Sequence, residues 1–127
     1  MQTNFELVFY ETREGIKPVG QFIRNLNMKM RAKVVRSLKL LERNGTKLRE
    51  PNSKALQDGI YELRVKFGSD ITRVLYFFFW GNRIVVTNGF MKKSNKTPPN
   101  EIELAKKYRG DFIAREMKKD DDIKRIH

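Results

Sequence analysis

The chain of 127 residues contains no cysteine, which excludes disulfides and thiolate metal centres and suits a reducing compartment. Histidine is nearly missing as well: the only one, His127, ends a charged tail. A histidine-activated nucleophile, a His-rich metal site and a ribonuclease built on paired histidines therefore have no material to work with. The longest apolar run, Val74 to Trp80, is far shorter than the ~20 residues a membrane span needs. The opening MQTNFELVFYETREG lacks a basic segment followed by an apolar one, so no secretory leader is expected. Neither a G-x-x-x-x-G-K-S/T loop nor a G-x-G-x-x-G turn occurs, which removes the common nucleotide cradles. The expectation is a cytoplasmic protein with no metal and no cofactor. Acidic residues are also in deficit: 15 Asp and Glu stand against 27 Lys and Arg, a net charge of +12. Such a surplus attracts polyanions, nucleic acid being the commonest, with a membrane surface or an acidic protein as the other possibilities.

What is present fits one compact domain, expected over residues 1–117, with 118–127 as a charged tail. Phe5, Leu7 and Phe9 alternate in NFELVFY and predict a first strand. Pro18 suits the first turn of a helix whose apolar residues are Val19, Phe22, Ile23 and Leu26. A second helix is expected from Met28 to Arg43, with Asn27 as N-cap and Asn44-Gly45 as its stop. Its stripe is read as Arg31, Val34, Leu38 and Leu41. Thr46 to Asp58 is polar and reads as loop. Then IYELRVKF alternates cleanly, with Tyr61, Leu63, Val65 and Phe67 on one face and Glu62, Arg64 and Lys66 on the other. Ile71 to Trp80 is apolar on both faces beyond Arg73 and predicts a central, doubly covered strand, so most of its aromatics are read as core. Gly81-Asn82 turns into a third strand, Arg83 to Phe90. A last helix is expected from Pro98 towards Met117, with Ile102, Ala105, Tyr108, Phe112 and Ile113 as its stripe. The fold class is α+β, in the order β-α-α-β-β-β-α. Its sheet is small and antiparallel, or mixed where the first strand joins, and the helical pair lies on one face.

Two positive features stand out. The hairpin brings Arg73 beside Arg64 or Lys66, and neighbouring cations on a sheet repel unless an anion lies between them. Glu62 would serve structurally; a phosphate, matched by the guanidinium fork, would serve functionally. A plain solvated face is the other reading. The second feature is GFMKKSNKTPPNEIELAKK, where Lys92, Lys93 and Lys96 precede a helix start with Thr97 as expected N-cap and Pro98 as first helical residue. Helix N-termini attract oxyanions, although the prolines withdraw two N–H donors and leave the contact to the lysines. A basic surface loop is the alternative. RNA cleavage needs little more than such cations: the 2′-hydroxyl is the nucleophile, and fixed positive charge stabilises the developing phosphorane. A crowded lysine, or a tyrosine, is a candidate for proton transfer.

The motifs Tyr61-Glu62-Leu63-Arg64, Arg73-Val74-Leu75-Tyr76 and Gly89-Phe90-x-Lys92-Lys93-x-x-Lys96-Thr97-Pro98 together resemble the HigB-like branch of the RelE/ParE toxin superfamily, over roughly Phe5 to Tyr108. The resemblance implies a toxin of a type II toxin–antitoxin pair that cuts mRNA in the ribosomal A site. It implies a protein antitoxin, often with a helix-turn-helix domain, as partner. Carried over residue by residue, it assigns Arg64 and Arg73 to the scissile phosphate, with Lys93 and Lys96 beside them as catalytic candidates. It assigns Lys92, Lys93 and Lys96 to RNA backbone, Lys54 and Lys66 to further RNA contacts, and Glu62 and Thr97 to support of the site. Some related toxins place a histidine near the end of the last strand; here Asn88 stands in that region, so lysine, arginine or tyrosine must carry proton transfer. A ParE-like toxin that binds DNA gyrase, and a basic RNA-binding module, are the alternative readings. Arg73→Ala is expected to abolish toxicity without loss of the fold.

Overall fold

In a computed structural model of the chain, described over residues 5–92 and 96–126, a five-stranded sheet and three helices form two layers of core. The strands are β1 (Glu6–Phe9), β2 (Ser53–Ala55), β3 (Tyr61–Phe67), β4 (Asp70–Phe79) and β5 (Arg83–Lys92). The helices are α1 (Pro18–Arg24), α2 (Met28–Asn44) and α3 (Pro99–Ile126). Sheet order is β1-β5-β4-β3-β2. β1 runs parallel to β5 and every other pair is antiparallel, so the sheet is mixed at the first strand. The parallel pair β1–β5 is joined by a long crossover through α1, α2 and strands β2 to β4, as a parallel pair requires.

β4 is central, as its two-sided apolar run predicts. Val74 and Tyr76 pack towards α1 and α2 with Leu63, Val65, Met30, Val34, Leu38 and Leu41. Leu75, Phe77 and Phe79 pack towards α3, where Ala105, Tyr108, Phe112 and Ile113 meet them. Trp80, beyond the strand end, is exposed and stacks on Phe79. In α2 the buried position is Met30 and not Arg31. Arg31 instead donates to the carbonyls of Arg24 and Leu26, closing the open end of α1. Asn27 caps α2 through Met30 N–H at 2.8 Å. Gly45 ends it with φ +52°, and the ring of Phe5 lies where its Cβ would stand, 2.2 Å away.

Three expectations are corrected. The loop Thr46 to Asp58 contains a short edge strand, β2, too brief to show alternation. β5 runs to Lys92 and carries a bulge: Leu75 pairs with Asn88 but Tyr76 with Val86, leaving Thr87 extra. The bulge inverts which side chains face which layer. It turns Asn88 towards α3 and Gly89 towards α1, where the Phe22 ring leaves no room for a Cβ. Finally, α3 does not end near Met117 but continues through the charged segment to Ile126, about 42 Å at 1.5 Å per residue. Side chains one turn apart sustain it there, Lys119 with Glu116 and Lys124 with Asp120.

Tyr10 fastens α3 to the sheet. Its ring stacks on Tyr108 at 4.6 Å, and its hydroxyl donates to Asp111 at 2.7 Å. Arg13 and Arg115 pair with the same carboxylate. Burial, then the bond to Asp111, push the Tyr10 hydroxyl from 10.0 up to about 12. The folded state therefore holds this proton more tightly than the unfolded chain. The associated stability is complete below about pH 10 and is lost as pH rises towards 12. Urea titrations of Tyr10→Phe are expected to lack this alkaline loss. In the same assay Gly45→Ala is expected to destabilise by about 2–4 kcal/mol, from clash and positive φ. Gly110→Ala, in open space within α3, is expected to stabilise by about 0.5–1 kcal/mol.

Candidate functional site

Cross-strand register sets three rows of paired residues across the sheet. Lys54, Glu62, Leu75 and Asn88 form the first, Arg64, Arg73 and Phe90 the second, and Lys66, Ile71 and Lys92 the third. Of the two neighbours expected for Arg73, the register selects Arg64, while Lys66 pairs with Ile71. The face is not simply solvated. Glu62 and Arg73 are 0% and 1% exposed. Arg73 Nη1 donates to both Glu62 oxygens, at 3.0 and 3.1 Å. Thr97 Oγ1 donates to Glu62 Oε2 and accepts from Arg73 Nη1 at 3.5 Å. Arg64 Nε stands 3.8 Å from Glu62 Oε1, with 26% of its side chain exposed. Two guanidiniums thus share one carboxylate. Arg73 neutralises Glu62 inside the protein, and Arg64 brings its charge to the surface.

This geometry changes two roles. Arg73 was expected to hold a phosphate, but its guanidinium is enclosed and bound to Glu62. Removing it would strand a buried carboxylate, so Arg73→Ala is not the fold-neutral substitution the sequence suggests. Thr97 was expected to cap α3, but its hydroxyl turns inward to Glu62. The helix begins at Pro99, and the Pro98 carbonyl accepts from Glu101 N–H at 3.0 Å and Ile102 N–H at 3.4 Å. Glu101, in the first turn, already supplies an anion to that helix end. Its side chain and carbonyl accept from Asn88 Nδ2 at 2.9 and 3.2 Å. Asn88, where some related toxins place histidine, is therefore buried and ties β5 to α3. Its Oδ1 accepts from Thr87, the bulge residue, at 2.7 Å.

Lys54, Lys66 and Lys96 are exposed. Lys54 adjoins Glu62 across β2–β3, and Lys66 lies one row beyond Arg64. Lys92 occupies the end of β5 opposite Ile71. Lys93 lies outside the described residues. Two tyrosines are poor proton donors: burial pushes the Tyr76 hydroxyl up, against a bond to Ser53, and Tyr10 stands high as described. Among the described residues no three His, Cys, Asp or Glu side chains gather as a metal site. Among them, too, no helix is long and apolar enough to cross a membrane.

Glu62→Ala is expected to cost about 3–5 kcal/mol in urea unfolding, because Arg73 is left buried without its carboxylate. The double variant Glu62→Leu/Arg73→Met is expected to recover most of that loss, since it removes both charges and keeps the volume.

A search of curated proteins finds no match. Residues 21–109, well over half of the chain, match the family model described as Phage derived protein Gp49-like (DUF891). The matched span runs from α1 into α3 and includes every candidate residue above. The family is one of generally RNase-like toxins associated with toxin–antitoxin pairs, which implies an antitoxin partner. The chain belongs to the Gp49-like family, a type II toxin family of the RelE/Gp49 superfamily.

Proposed function

We propose that this chain is a toxin of the HigB-like branch that enters the ribosome and cuts translated mRNA, halting translation. The observation that carries the reading is the pair of guanidiniums on one buried carboxylate. Arg73 satisfies Glu62, so the Arg64 charge is left over at the surface, one row from Lys66. A guanidinium whose position is set from beneath matches phosphate oxygens and needs little reorganisation as charge develops on a phosphorane. The 2′-hydroxyl supplies the nucleophile. Arg64 is the phosphate-stabilising residue, and Lys93 and Lys96 are the candidates for proton transfer. Lys54, Lys66 and Lys92 hold RNA backbone. Glu62, Arg73 and Thr97 position Arg64. The neutralising partner is an antitoxin, with a helix-turn-helix domain for its own DNA.

Induced expression followed by mapping of mRNA 5′ ends is expected to reveal new ends confined to translated frames. Intact mRNA with DNA damage would identify a gyrase poison instead. Arg64→Ala is expected to lower cleavage about 100-fold while its thermal unfolding stays that of the wild type. Full toxicity in that variant removes Arg64 from the site.

A further inference from the structure

β2 pairs with β3 only over Tyr61 to Leu63, and Asn52 accepts from Arg64 N–H at 2.8 Å as the pairing ends. Along the edge beyond, a groove of ≈ 470 Å³ opens between β3 and α2. Lys33 and Arg36 line it from α2, and Arg64 and Lys66 from β3, with the partly exposed Ile71 as apolar surface over the buried Val65. Among the described residues no carboxylate lines it. Lys33 and Arg36 are three residues apart and so share one helix face. Lys33 is fixed at the rim: its Nζ donates to the Lys66 carbonyl at 3.2 Å and sits 5.3 Å from the centre of the Phe67 ring. Arg36 is exposed and forms no ion pair among the described residues.

Four cations around an open groove raise one another's energy, and an anion laid among them relieves it. The lining selects which anion. An acidic side chain would meet the cations and leave the partly exposed Ile71 against water. A nucleotide offers a phosphate to the cations and a sugar and base to the apolar wall, and the volume lies in the range of pockets that take such ligands. Arg64 belongs both to this groove and to the Glu62 cluster, so a strand engaged there has a continuous cationic path onto α2.

We propose that this groove binds the backbone of single-stranded RNA, with Lys33 and Arg36 as phosphate contacts that extend the substrate track from Arg64 onto α2. The inference takes its ligand from the reading of the protein as an RNA-directed toxin, but does not depend on cleavage. It is tested with the full chain and a fluorescein-labelled single-stranded RNA of about 12 nucleotides, by anisotropy across a salt series. Wild type is expected to bind with affinity falling steeply as salt rises. Arg36→Glu is expected to weaken binding by about tenfold or more and flatten the salt slope, while Arg36→Lys keeps the slope and both variants melt with the wild type. RNA bound and sensitive to Arg36→Glu but never cut upholds the groove and removes the nuclease reading. Equal binding by wild type and Arg36→Glu, or no binding by wild type, overturns the groove whether or not mRNA is cut in cells. Poly-glutamate that displaces the RNA at equal charge concentration overturns RNA as the occupant in favour of an acidic protein segment.

Discussion

The bond between Glu62 and Arg73 sets the geometry on which the candidate site depends. A carboxylate with no exposure is tolerated only if its charge is met and its oxygens are hydrogen-bonded. Arg73 and Thr97 do both, from β4 and from the chain entering α3. Three segments are thereby fixed to one another at a single point. A buried pair of this kind gives little net stability over an apolar pair of the same size, but removing one partner is costly. Its structural consequence is positional: it determines where α3 begins and where Arg64 can place its charge.

The same accounting of charge explains why one part of the molecule is so basic. Much of the acid lies on or against α3 and is paired there: Asp58 with Lys106, Asp111 with Arg13 and Arg115, Glu116 with Arg83 and Lys119, Asp120 with Lys124. Lys106 holds the exposed Asp58 carboxyl below its ordinary range, and the Tyr10 hydroxyl does the same for Asp111. Among the described residues, the groove between α2 and β3 is lined by cations and no carboxylate. The +12 surplus is therefore unevenly spread, and polyanion attraction is strongest where acids are missing.

Much of the fold was legible because its signals are local. Alternation in IYELRVKF, the two-sided run after Arg73, Pro18 at a helix start and Asn27 before another each follow from short-range geometry, and each element stands where the pattern puts it. That Arg73 lies beside Arg64 or Lys66 was legible too, and the strand register settles it as Arg64. Failures occurred where the deciding partner is distant in sequence. Thr97 looks like an N-cap because it precedes two prolines, yet Glu62, 35 residues away, claims its hydroxyl. Arg73 looks like a surface cation in a strand, yet it is buried against Glu62 and Thr97. The charged segment after Met117 lacks an apolar stripe, and ion pairs along the helix extend it nonetheless.

By itself the sequence determined most of the element types, the centrality of β4 and the excess of positive charge, because composition, periodicity and turn chemistry act over a few residues, and its motifs carried the resemblance to a toxin superfamily. Only the tertiary structure decided which cations are available. The bulge at Thr87 inverts the facing of β5, sending Asn88 to α3 and Gly89 against Phe22, and no periodic pattern announces an extra residue. Contact with Glu62 and Thr97 then divides two neighbouring arginines, with Arg73 buried and Arg64 partly exposed. Adjacent guanidiniums of equal chemistry thus take unequal parts, because burial and the single carboxylate between them depend on contacts among segments far apart in the chain.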